Sequence, residues 1–327
     1  MPSPTVFPAE LSFAGLGKES SNGTAVAATR FYPFTKNDWT DDNGLLIDDA
    51  MYGSMTSENG AVAGKRQASG DIEAYFLPDY IGDLLYNILG GYAVGAPVSS
   101  VYPHTFTLLN SGDGQPPAHT FLDRQGITAT VGARSYAYGC LSELTISGNA
   151  TGLVTVAAKV TSYGSAPAGS APTNTVTTET VLPAWRSTVT VAGSPIKPRE
   201  WSFTINRSLA PDPLADGTQN PNSIARGDLT VAGKLTIPAQ SEQPLLDMLA
   251  ATQQATVITV DNGGTLTAVR KLTATMTKAV YASASMVRQT PIGYELDFKA
   301  IANPTDVGAS AGRAPISCLL NNAITTY

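Results

Sequence analysis

Apolar and polar side chains alternate at every second position along residues 71–76, DIEAYF. Ile72 and Phe76 therefore lie on one face of a predicted β-strand, and Asp71 and Glu73 lie on the opposite face. The pattern predicts a strand with one face for a hydrophobic core and one polar face.

A proline follows this strand and starts a predicted helix that ends at a pair of glycines. Pro78 suits the first helical turn, and Gly90 can adopt the left-handed conformation that ends a helix. Between them the apolar residues follow the helical i, i+3, i+4, i+7 spacing: Ile81, Leu84, Leu85, Ile88 and Leu89. The helix therefore has one apolar stripe, through which it is expected to pack on a sheet.

The same order of elements recurs in the second half of the chain, at residues 227–254. Here Asp228, Thr230 and Lys234 alternate with apolar positions, and Pro238 ends the strand. The helix that follows is predicted from a weaker apolar stripe: Leu245, Leu246, Met248 and Leu249. The motif of Gly-Asp, alternating strand, proline and helix occurs twice, which indicates an internal repeat.

Each of these strands is preceded by a long segment rich in turn-forming residues. Residues 35–69 predict a long loop or a flexible hairpin, and residues 209–226 predict a loop rich in Pro, Asp and Asn. More strands follow each helix, including a predicted hairpin over residues 139–162. Both halves therefore share the order strand, long loop, strand, helix and further strands.

A Ser-, Ala-, Pro- and Thr-rich segment without periodicity separates the halves at residues 164–180. We therefore predict a first domain over residues 1–163 and a second domain over residues 181–310. The predicted fold is mainly β with a few short helices, and each domain has one flanking helix. Residues 311–327 form a C-terminal extension that is either a docking tail or part of the last sheet.

Charged residues make up only 14% of the 327 residues, whereas 43% are hydrophobic. An average globular protein has roughly 25% charged residues, so we expect this chain to bury much of its surface in an assembly. The net charge of −6 disfavours an electrostatic hold on nucleic acid, which needs clustered Lys and Arg. No leader pattern and no apolar run near the ~20 residues that span a bilayer occur, so we expect assembly in the cytoplasm without membrane contact.

Candidate catalytic and metal-binding residues are few. Cys140 and Cys318 are the only cysteines, His104 and His119 are the only histidines, and none of them has the spacing of a metal site. No hydrolase, metalloprotease or nucleotide-binding motif occurs, and the paired acids lie in polar segments that leave carboxyls with ordinary acidity. We therefore expect no catalytic residues, no metal and no cofactor, and a function other than catalysis.

Four segments occur in an order that carries a resemblance to a known family. They are FAGLGKESSNGTAVAATRFYPFTK, IEAYFLPDYIGDLLYNILGGY, YPHTFT and YGCLSELTISGNATGLVTVAAKVTS. In this order they resemble the tail tube proteins of long-tailed bacteriophages with non-contractile tails. The resemblance is clearest over residues 11–162, and the second half joins it through the shared order of elements.

The resemblance implies two tandem tail-tube domains, each a β-sandwich or barrel of two packed sheets with one helix on the side. In this family one sheet of each subunit joins its neighbours into a continuous β-barrel around a channel, and rings stack into a tube through which DNA passes. Family rings usually present six tube domains, so a chain with two of them implies a trimeric pseudo-hexamer, with a hexamer as the alternative. The implied location is the virion tail, assembled in the host bacterial cytoplasm.

The implied partners are other copies of the chain, the tape measure protein, and the tail terminator and tip proteins, with DNA only in transit. The candidate channel-lining residues are polar positions of the two repeated strands: Asp71, Glu73, Asp228, Thr230 and Lys234. The candidate contacts between rings lie in the two long loops: Trp39, Asp41, Asp42, Pro211, Asp212 and Asp216. An acidic channel wall would not adsorb the phosphate backbone, so DNA could slide through it.

Two functions of other classes stay open at this point. A phage decoration or host-adhesion β-sandwich would share the β-rich, low-charge composition, but electron micrographs would show a discrete oligomer instead of rings or tubes. A β-rich enzyme such as a glycosidase would need a suitably placed pair of carboxyls, and the sequence shows no such pair in a convincing setting.

Overall fold

Strands make up 53% of the structure and helices make up 8%. The computed structural model describes residues 9–125, 132–168, 173–175, 179–264, 269–288, 291–308 and 311–327. The strands of the first half are β1 (Phe13–Lys18), β2 (Arg30–Tyr32), β3 (Lys36–Asp42), β4 (Leu46–Asp48), β5 (Gly60–Val62), β6 (Gln67–Tyr75), β7 (Gly90–Val94), β8 (Tyr102–Leu108), β9 (His119–Arg124), β10 (Ala133–Asn149), β11 (Val154–Tyr163) and β12 (Ala166–Pro167).

The second half contains the remaining strands and the shorter helix. Its strands are β13 (Thr188–Val191), β14 (Ser194–Ile196), β15 (Glu200–Asp212), β16 (Ser223–Pro238), β17 (Gln254–Asp261), β18 (Lys271–Val287), β19 (Gly293–Ala300) and β20 (Ser317–Asn322). The helices are α1 (Pro78–Leu89) in the first half and α2 (Gln243–Leu249) in the second, with short 3-10 turns at Ala9–Leu11 and Ala184–Arg186. The predicted fold class, mainly β with a few short helices, is confirmed.

Eight strands form one continuous antiparallel sheet, which we call the main sheet. Its order is β3-β6-β11-β10-β15-β16-β19-β18, in which β10 and β18 take part through their C-terminal halves. The first four strands come from the first half of the chain and the last four from the second half. Among the described residues, β3 pairs only with β6 and the C-terminal half of β18 pairs only with β19, so the main sheet has two open edges.

The alternation in the sequence places one face of the main sheet against the core. Ile72 in β6 and Leu235 in β16 are buried, as are Leu144, Phe203 and Leu296 on the neighbouring strands. Burial of each such side chain stabilises the fold by roughly 1.5–3 kcal/mol before the entropy of ordering is subtracted. The opposite face of the main sheet is polar.

Shorter sheets cover the apolar face of the main sheet. One has the order β2-β1-β9-β10-β12, and the other joins β14, β13, β17, β18, β20, β8 and β7 in that order. β10 and β18 run through both layers, and each is irregular where it changes layer, after Leu141 and after Tyr281. Side chains from both layers meet in one core cluster, so the fold is a sandwich.

The two halves of the chain repeat one pattern of strand pairing. Seven pairings of the first half recur in the second: β1–β2 as β13–β14, β1–β9 as β13–β17, β9–β10 as β17–β18, β10–β11 as β18–β19, β6–β11 as β16–β19, β3–β6 as β15–β16, and β10–β12 as β18–β20. The pairing of β10 with β15 joins the halves. The internal repeat is therefore present in the topology, while the domain boundaries at residues 163 and 181 stay predictions.

Helix α1 packs on the first half through its apolar stripe. Ile81, Leu85 and Ile88 are buried, and Leu84 is half-buried. The helix ends at Gly90, whose φ of 84° is the left-handed conformation that favours glycine. The stripe predicted from the sequence is the side of α1 that meets the core.

Helix α1 also buries polar side chains that hold it to β2 and β10. Asp83 forms an ion pair with Arg30 at 2.9 Å. Asn87 Nδ2 donates to Gly139 O at 2.8 Å, and Leu141 N donates to Asn87 Oδ1 at 2.8 Å. Asn87 therefore satisfies backbone groups at the point where β10 changes layer and its ladder is interrupted.

The end of the chain completes the layer that covers α1. Strand β20 pairs with β18 on one side and with β8 on the other. Tyr327 is buried against Gly82 of α1, where a Cβ atom would overlap the tyrosine ring. Residues 311–327 were predicted to be either a docking tail or part of the last sheet. Residues 317–322 of this extension are part of a sheet.

Helix α2 differs from the prediction. It is seven residues long, Leu245 in it is half-buried, and Leu246 and Leu249 are 51% and 70% exposed. Leu246 and Leu249 are therefore not core residues of the single chain. The reason is that α2 packs mainly on β18, whereas the layer of β7, β8 and β20 lies over α1.

The strands beside the two long loops extend further than predicted. Trp39, Asp41 and Asp42, which the sequence placed in a loop, lie in β3. Pro211 and Asp212 likewise lie at the end of β15. Residues of this kind suit an edge strand or the end of a hairpin, where one side of the strand meets water, so their preference for turns does not break the strand.

The predicted linker, residues 164–180, is only partly described. Residues 169–172 and 176–178 within it lie outside the described residues. Ser165 at its start is buried, and its N and Oγ donate to the Asp41 carboxylate at 2.7 and 2.6 Å. The start of the predicted linker is therefore part of the fold.

Candidate functional site

The polar face of the main sheet contains all five residues predicted to line a channel. Asp71 and Glu73 in β6, and Asp228, Thr230 and Lys234 in β16, lie on the side opposite to the core. The strand registers place further polar residues on this face: Lys36, Asp38, Thr40, Asp42, Glu143, Thr145, Ser147, Thr155, Lys159, Glu200, Ser202, Thr204, Asn206, Ser283, Ser285, Glu295, Asp297 and Lys299. The predicted residues belong to one continuous surface.

The polar face is acidic, and most of its lysines are paired with carboxylates. Nine acids lie on it together with four lysines: Asp38, Asp42, Asp71, Glu73, Glu143, Glu200, Asp228, Glu295 and Asp297, with Lys36, Lys159, Lys234 and Lys299. Three lysines lie within 4.0 Å of a carboxylate: Lys36 of Asp71 and Glu73, Lys159 of Glu143, and Lys234 of Glu295. The hydrogen bond to Glu295 raises the pKa of Lys234. A face of this composition repels phosphate and offers it few unpaired ammonium groups.

The junction between β10 and β15 shows how one half of the chain completes an open edge of the other. Ile146 and Phe203 lie opposite each other on the core side, and both are buried. On the polar side Thr145 and Thr204 lie opposite each other, with their hydroxyl oxygens hydrogen-bonded at 2.8 Å. The junction therefore combines an apolar contact, a hydroxyl pair and a continuous backbone ladder.

The two open edges of the main sheet carry the counterparts of these junction residues. The repeated pairings, together with the matching irregularities after Leu141 and Tyr281, align β18 with β10 and β3 with β15. The alignment gives four counterparts: Ser285 for Thr145, Met286 for Ile146, Thr40 for Thr204, and Trp39 for Phe203. The two open edges of the main sheet therefore correspond to the two strands that pair at its own internal junction.

The apolar residues at these edges are only partly covered by their own chain. Met286, on the core side of β18, is 49% exposed. Trp39 stacks on Tyr136 with ring centroids 3.9 Å apart, and its ring lies over Gly70, where a Cβ atom would be 2.7 Å away. Trp39 is thus fixed in position beside a free strand edge.

Ser285 and Met286 were not predicted from the sequence as edge residues. The second half was predicted only to contain further strands after its helix, and the small residues at 282–285 continue the alternation only weakly. The repeat offered a signal, because aligning the two halves on their helices lengthens the strand that contains Ser285 to match β10. A sequence does not otherwise show which strand lies at the edge of a sheet, because an edge strand is one that lacks a second neighbouring strand.

The residues predicted to contact a neighbouring ring fall into two groups. Trp39 and Asp41 make contacts within their own chain, with Tyr136 and Ser165 respectively. The other four are exposed or half-buried toward the ends of the β3–β6 and β15–β16 hairpins: Asp42, Pro211, Asp212 and Asp216. Contact of these residues with a neighbouring ring stays a prediction.

The histidines and cysteines are structural groups in this fold. His104 is buried, which lowers its pKa, and its Nε2 lies 2.8 Å from Ile324 O. Burial raises the pKa of the Cys140 thiol to about 11 and that of Cys318 to about 12, so both thiols stay protonated at neutral pH. His119 is buried as well. Within the described ranges, no group of three or more His, Cys, Asp and Glu side chains is arranged to hold a metal ion.

Comparison with known proteins agrees with the resemblance noted in the sequence. None of the helices that the structure describes is long and apolar enough to cross a membrane. A comparison with curated proteins returned no match. A family model described as phage tail tube protein matches residues 9–311. Because this match covers most of the 327 residues, the chain belongs to the phage tail tube protein family and is a structural component of the virion tail.

Proposed function

We propose that copies of the chain join edge to edge into closed rings, which stack into the tail tube through which DNA passes into the host. The observation that carries this proposal is the internal β10–β15 junction, because the open edges at β18 and β3 are the counterparts of its two strands. At each boundary, which we call the seam, β18 of one copy pairs antiparallel with β3 of the next.

Ring closure follows from the physics of strand edges. An open edge presents unpaired N–H and C=O groups that can pair with another chain, and a head-to-tail interface closes into a ring when its rotation permits. In the seam Met286 packs on Trp39 and Ser285 faces Thr40. A sulfur–aromatic contact of this kind contributes about 0.3–1.5 kcal/mol, in addition to the apolar area that it buries.

Three copies complete the proposed ring. Each copy contributes two halves with the same pairing pattern, so three copies supply the six tube domains that the family resemblance implies. The result is a trimeric pseudo-hexamer in which covalent junctions alternate with seams. A hexamer of chains would instead place twelve tube domains in the ring.

The polar face of the main sheet is the proposed wall of the channel. Its acid excess and its paired lysines keep the DNA backbone from adsorbing, so that DNA moves through without a bound state. The covering layer and the helices then lie on the outside of the ring. This role is structural and requires no catalytic group.

Stacking of the rings is assigned to the hairpin ends. Residues 49–59 and 213–222 extend beyond the paired parts of the two hairpins, and Met51 and Met55 in the first segment are fully exposed. By family resemblance, the tape measure protein, the tail terminator and the tip proteins are the further partners of the assembled tube.

A cysteine pair across the seam tests this proposal. We expect T40C/S285C, after mild oxidation of assembled protein, to give disulfide-linked dimers and trimers and no larger species on a denaturing gel. Residues directly opposite in an antiparallel pair have Cα atoms ~4.5–5.5 Å apart, within disulfide range. The native thiols should not interfere, because both are buried.

The internal junction supplies the matched control. The pair T145C/T204C occupies the equivalent register within one chain and should form a disulfide without joining copies. The displaced pair T40C/S283C should link poorly. A ladder of products that continues beyond trimers, or the absence of any link between copies, would contradict the proposed ring.

A further inference from the structure

Residues 43–66 form an arm that leaves the body of the chain with apolar side chains exposed. The arm contains β4, β5 and the tip between them. Leu45 is 56% exposed and Val62 is 65% exposed, and Leu46 and Ile47 are also exposed. Leu46 pairs with Val62 on one face of the arm, and Ile47 pairs with Ala61 on the other. Exposed apolar side chains of this kind mark an interaction site.

The arm is the counterpart of a hairpin end that is packed in the second half. Between the pairs Arg207–Leu229 and Leu209–Arg226, β15 advances by two residues and β16 by three. Between the pairs Asp42–Gln67 and Leu46–Val62, the first strand advances by four residues and the second by five, so the same shift of one residue separates the β3–β6 ladder from the β4–β5 ladder. The alignment gives these counterparts: Leu45 for Leu209, Leu46 for Ala210, Ile47 for Pro211, and Ala61 for Ile224. The two hairpins therefore share one register to their ends.

The end of the β15–β16 hairpin lies on the first half of its own chain. Ile224 is buried in a cluster with Ala118, Tyr138 and Cys140. Leu209 packs against this cluster, and so does Tyr163, whose ring stacks on that of Tyr138 at 5.0 Å. Ile224 is thus buried, and Leu209 and Pro211 are half-buried, on the half that precedes them in the main sheet.

Polar contacts fix this hairpin end in place. Arg226 N donates to Gln115 Oε1 at 2.8 Å, and Gln115 Nε2 donates to Arg226 O at 3.1 Å. Arg207 donates to Ile88 O at 2.8 Å and to Gly114 O at 3.0 Å. The packing of one half's hairpin on the preceding half is therefore a specific interface.

The second half has an equivalent surface that no hairpin of the same chain covers in the described residues. Its positions follow from the aligned strands: Gln253 for Ala118, Lys278 for Tyr138, Val280 for Cys140, and Ile301 for Tyr163. Ile301, Lys278 and Gln253 are exposed, and Val280 is half-buried. We call these four residues the receiving surface.

We propose that the arm of each copy packs on the receiving surface of the preceding copy, the one whose β18 pairs with its β3. The inference rests on the proposed ring and names a second contact between the same two copies. Leu45, Ile47 and Ala61 cover Val280 and Ile301, as Leu209 and Ile224 cover the first-half cluster.

Charge at the margin of the contact fits this partner. The arm carries Asp48 and Asp49 next to its apolar residues, and the receiving surface carries Lys278. Opposite charges at the rim of an interface favour the correct partner and increase the association rate. Each copy therefore holds its neighbour through a strand edge and through an arm.

A second cysteine pair tests the arm separately from the seam. Ala61 and Val280 are counterparts of Ile224 and Cys140, which share one cluster in the first half. We expect A61C/V280C in the full chain to give disulfide-linked dimers and trimers in assembled protein under mild oxidation. Each single cysteine variant should give none, and A61C/V98C, whose second cysteine lies on the loop between β7 and β8, should give none either.

The two cysteine pairs distinguish failure of the arm from failure of the ring. If T40C/S285C links copies and A61C/V280C does not, the arm lies elsewhere and the ring stands. If neither pair links copies, the ring and the arm are both wrong. The pair A61C/I301C replaces A61C/V280C where the substitution at the half-buried Val280 prevents folding, and it carries the same expected outcome.

Discussion

Replacing Leu85 with aspartate should leave no folded protein. Leu85 is fully buried between α1 and the core, so the variant would lose the packing of a leucine, about 2–5 kcal/mol, and would bury a carboxylate that has no partner. Total stabilities of folded domains are about 5–15 kcal/mol. Soluble yield and the thermal unfolding transition, followed by circular dichroism, measure the effect.

The second helix supplies the matched control for this substitution. Leu249 lies on α2 and is 70% exposed, so L249D should change the stability of the monomer by about 0.5 kcal/mol or less. L84D should fall between the two, because Leu84 is half-buried. An L85D variant that unfolds at the wild-type temperature would show that α1 does not anchor the core.

Replacing Met286 with aspartate should leave a folded monomer that no longer forms rings. Met286 is 49% exposed in the single chain, so a carboxylate there remains in water. In the seam it would be packed against Trp39, where desolvation without a partner costs about 3 kcal/mol, on the order of 100-fold in association at each seam. Sedimentation of the variant and of wild-type protein at equal concentration measures the loss.

A substitution of similar exposure outside the main sheet separates the seam from a general effect of charge. Val98, between β7 and β8, is 57% exposed, and V98D should assemble like the wild type. M286D should also keep the wild-type unfolding temperature as a monomer. Rings formed by M286D at wild-type concentration would exclude β18 from the seam.

The sequence allowed the strands and the first helix to be predicted because their periodicity reports which side chains are buried. Ile72 and Leu85 lie in the core as their spacing indicates. The same reasoning was wrong for Leu246 and Leu249. An apolar stripe indicates that one face of a helix packs against another element, but it does not identify that element. For α1 the cover includes β20, more than 200 residues along the chain.

The polar segments were harder to interpret. The acids around Trp39 indicated a loop, yet they form β3, because an edge strand with one polar face tolerates residues that would weaken a central strand. The edge residue Met286 was not identified, since its environment depends on strands aligned across the two halves. Alternation selected one face of the main sheet, and the family resemblance implied that this face lines a channel. Its orientation toward a channel stays a prediction.

Averaged end-on electron micrographs of the assembled chain test the proposed trimeric ring most directly. The ring predicted here contains three chains around an open channel, and it shows six similar lobes because each chain carries two copies of one pairing pattern. The same particles viewed from the side should stack into tubes. A ring of six chains, or a discrete oligomer without a channel, would contradict the account.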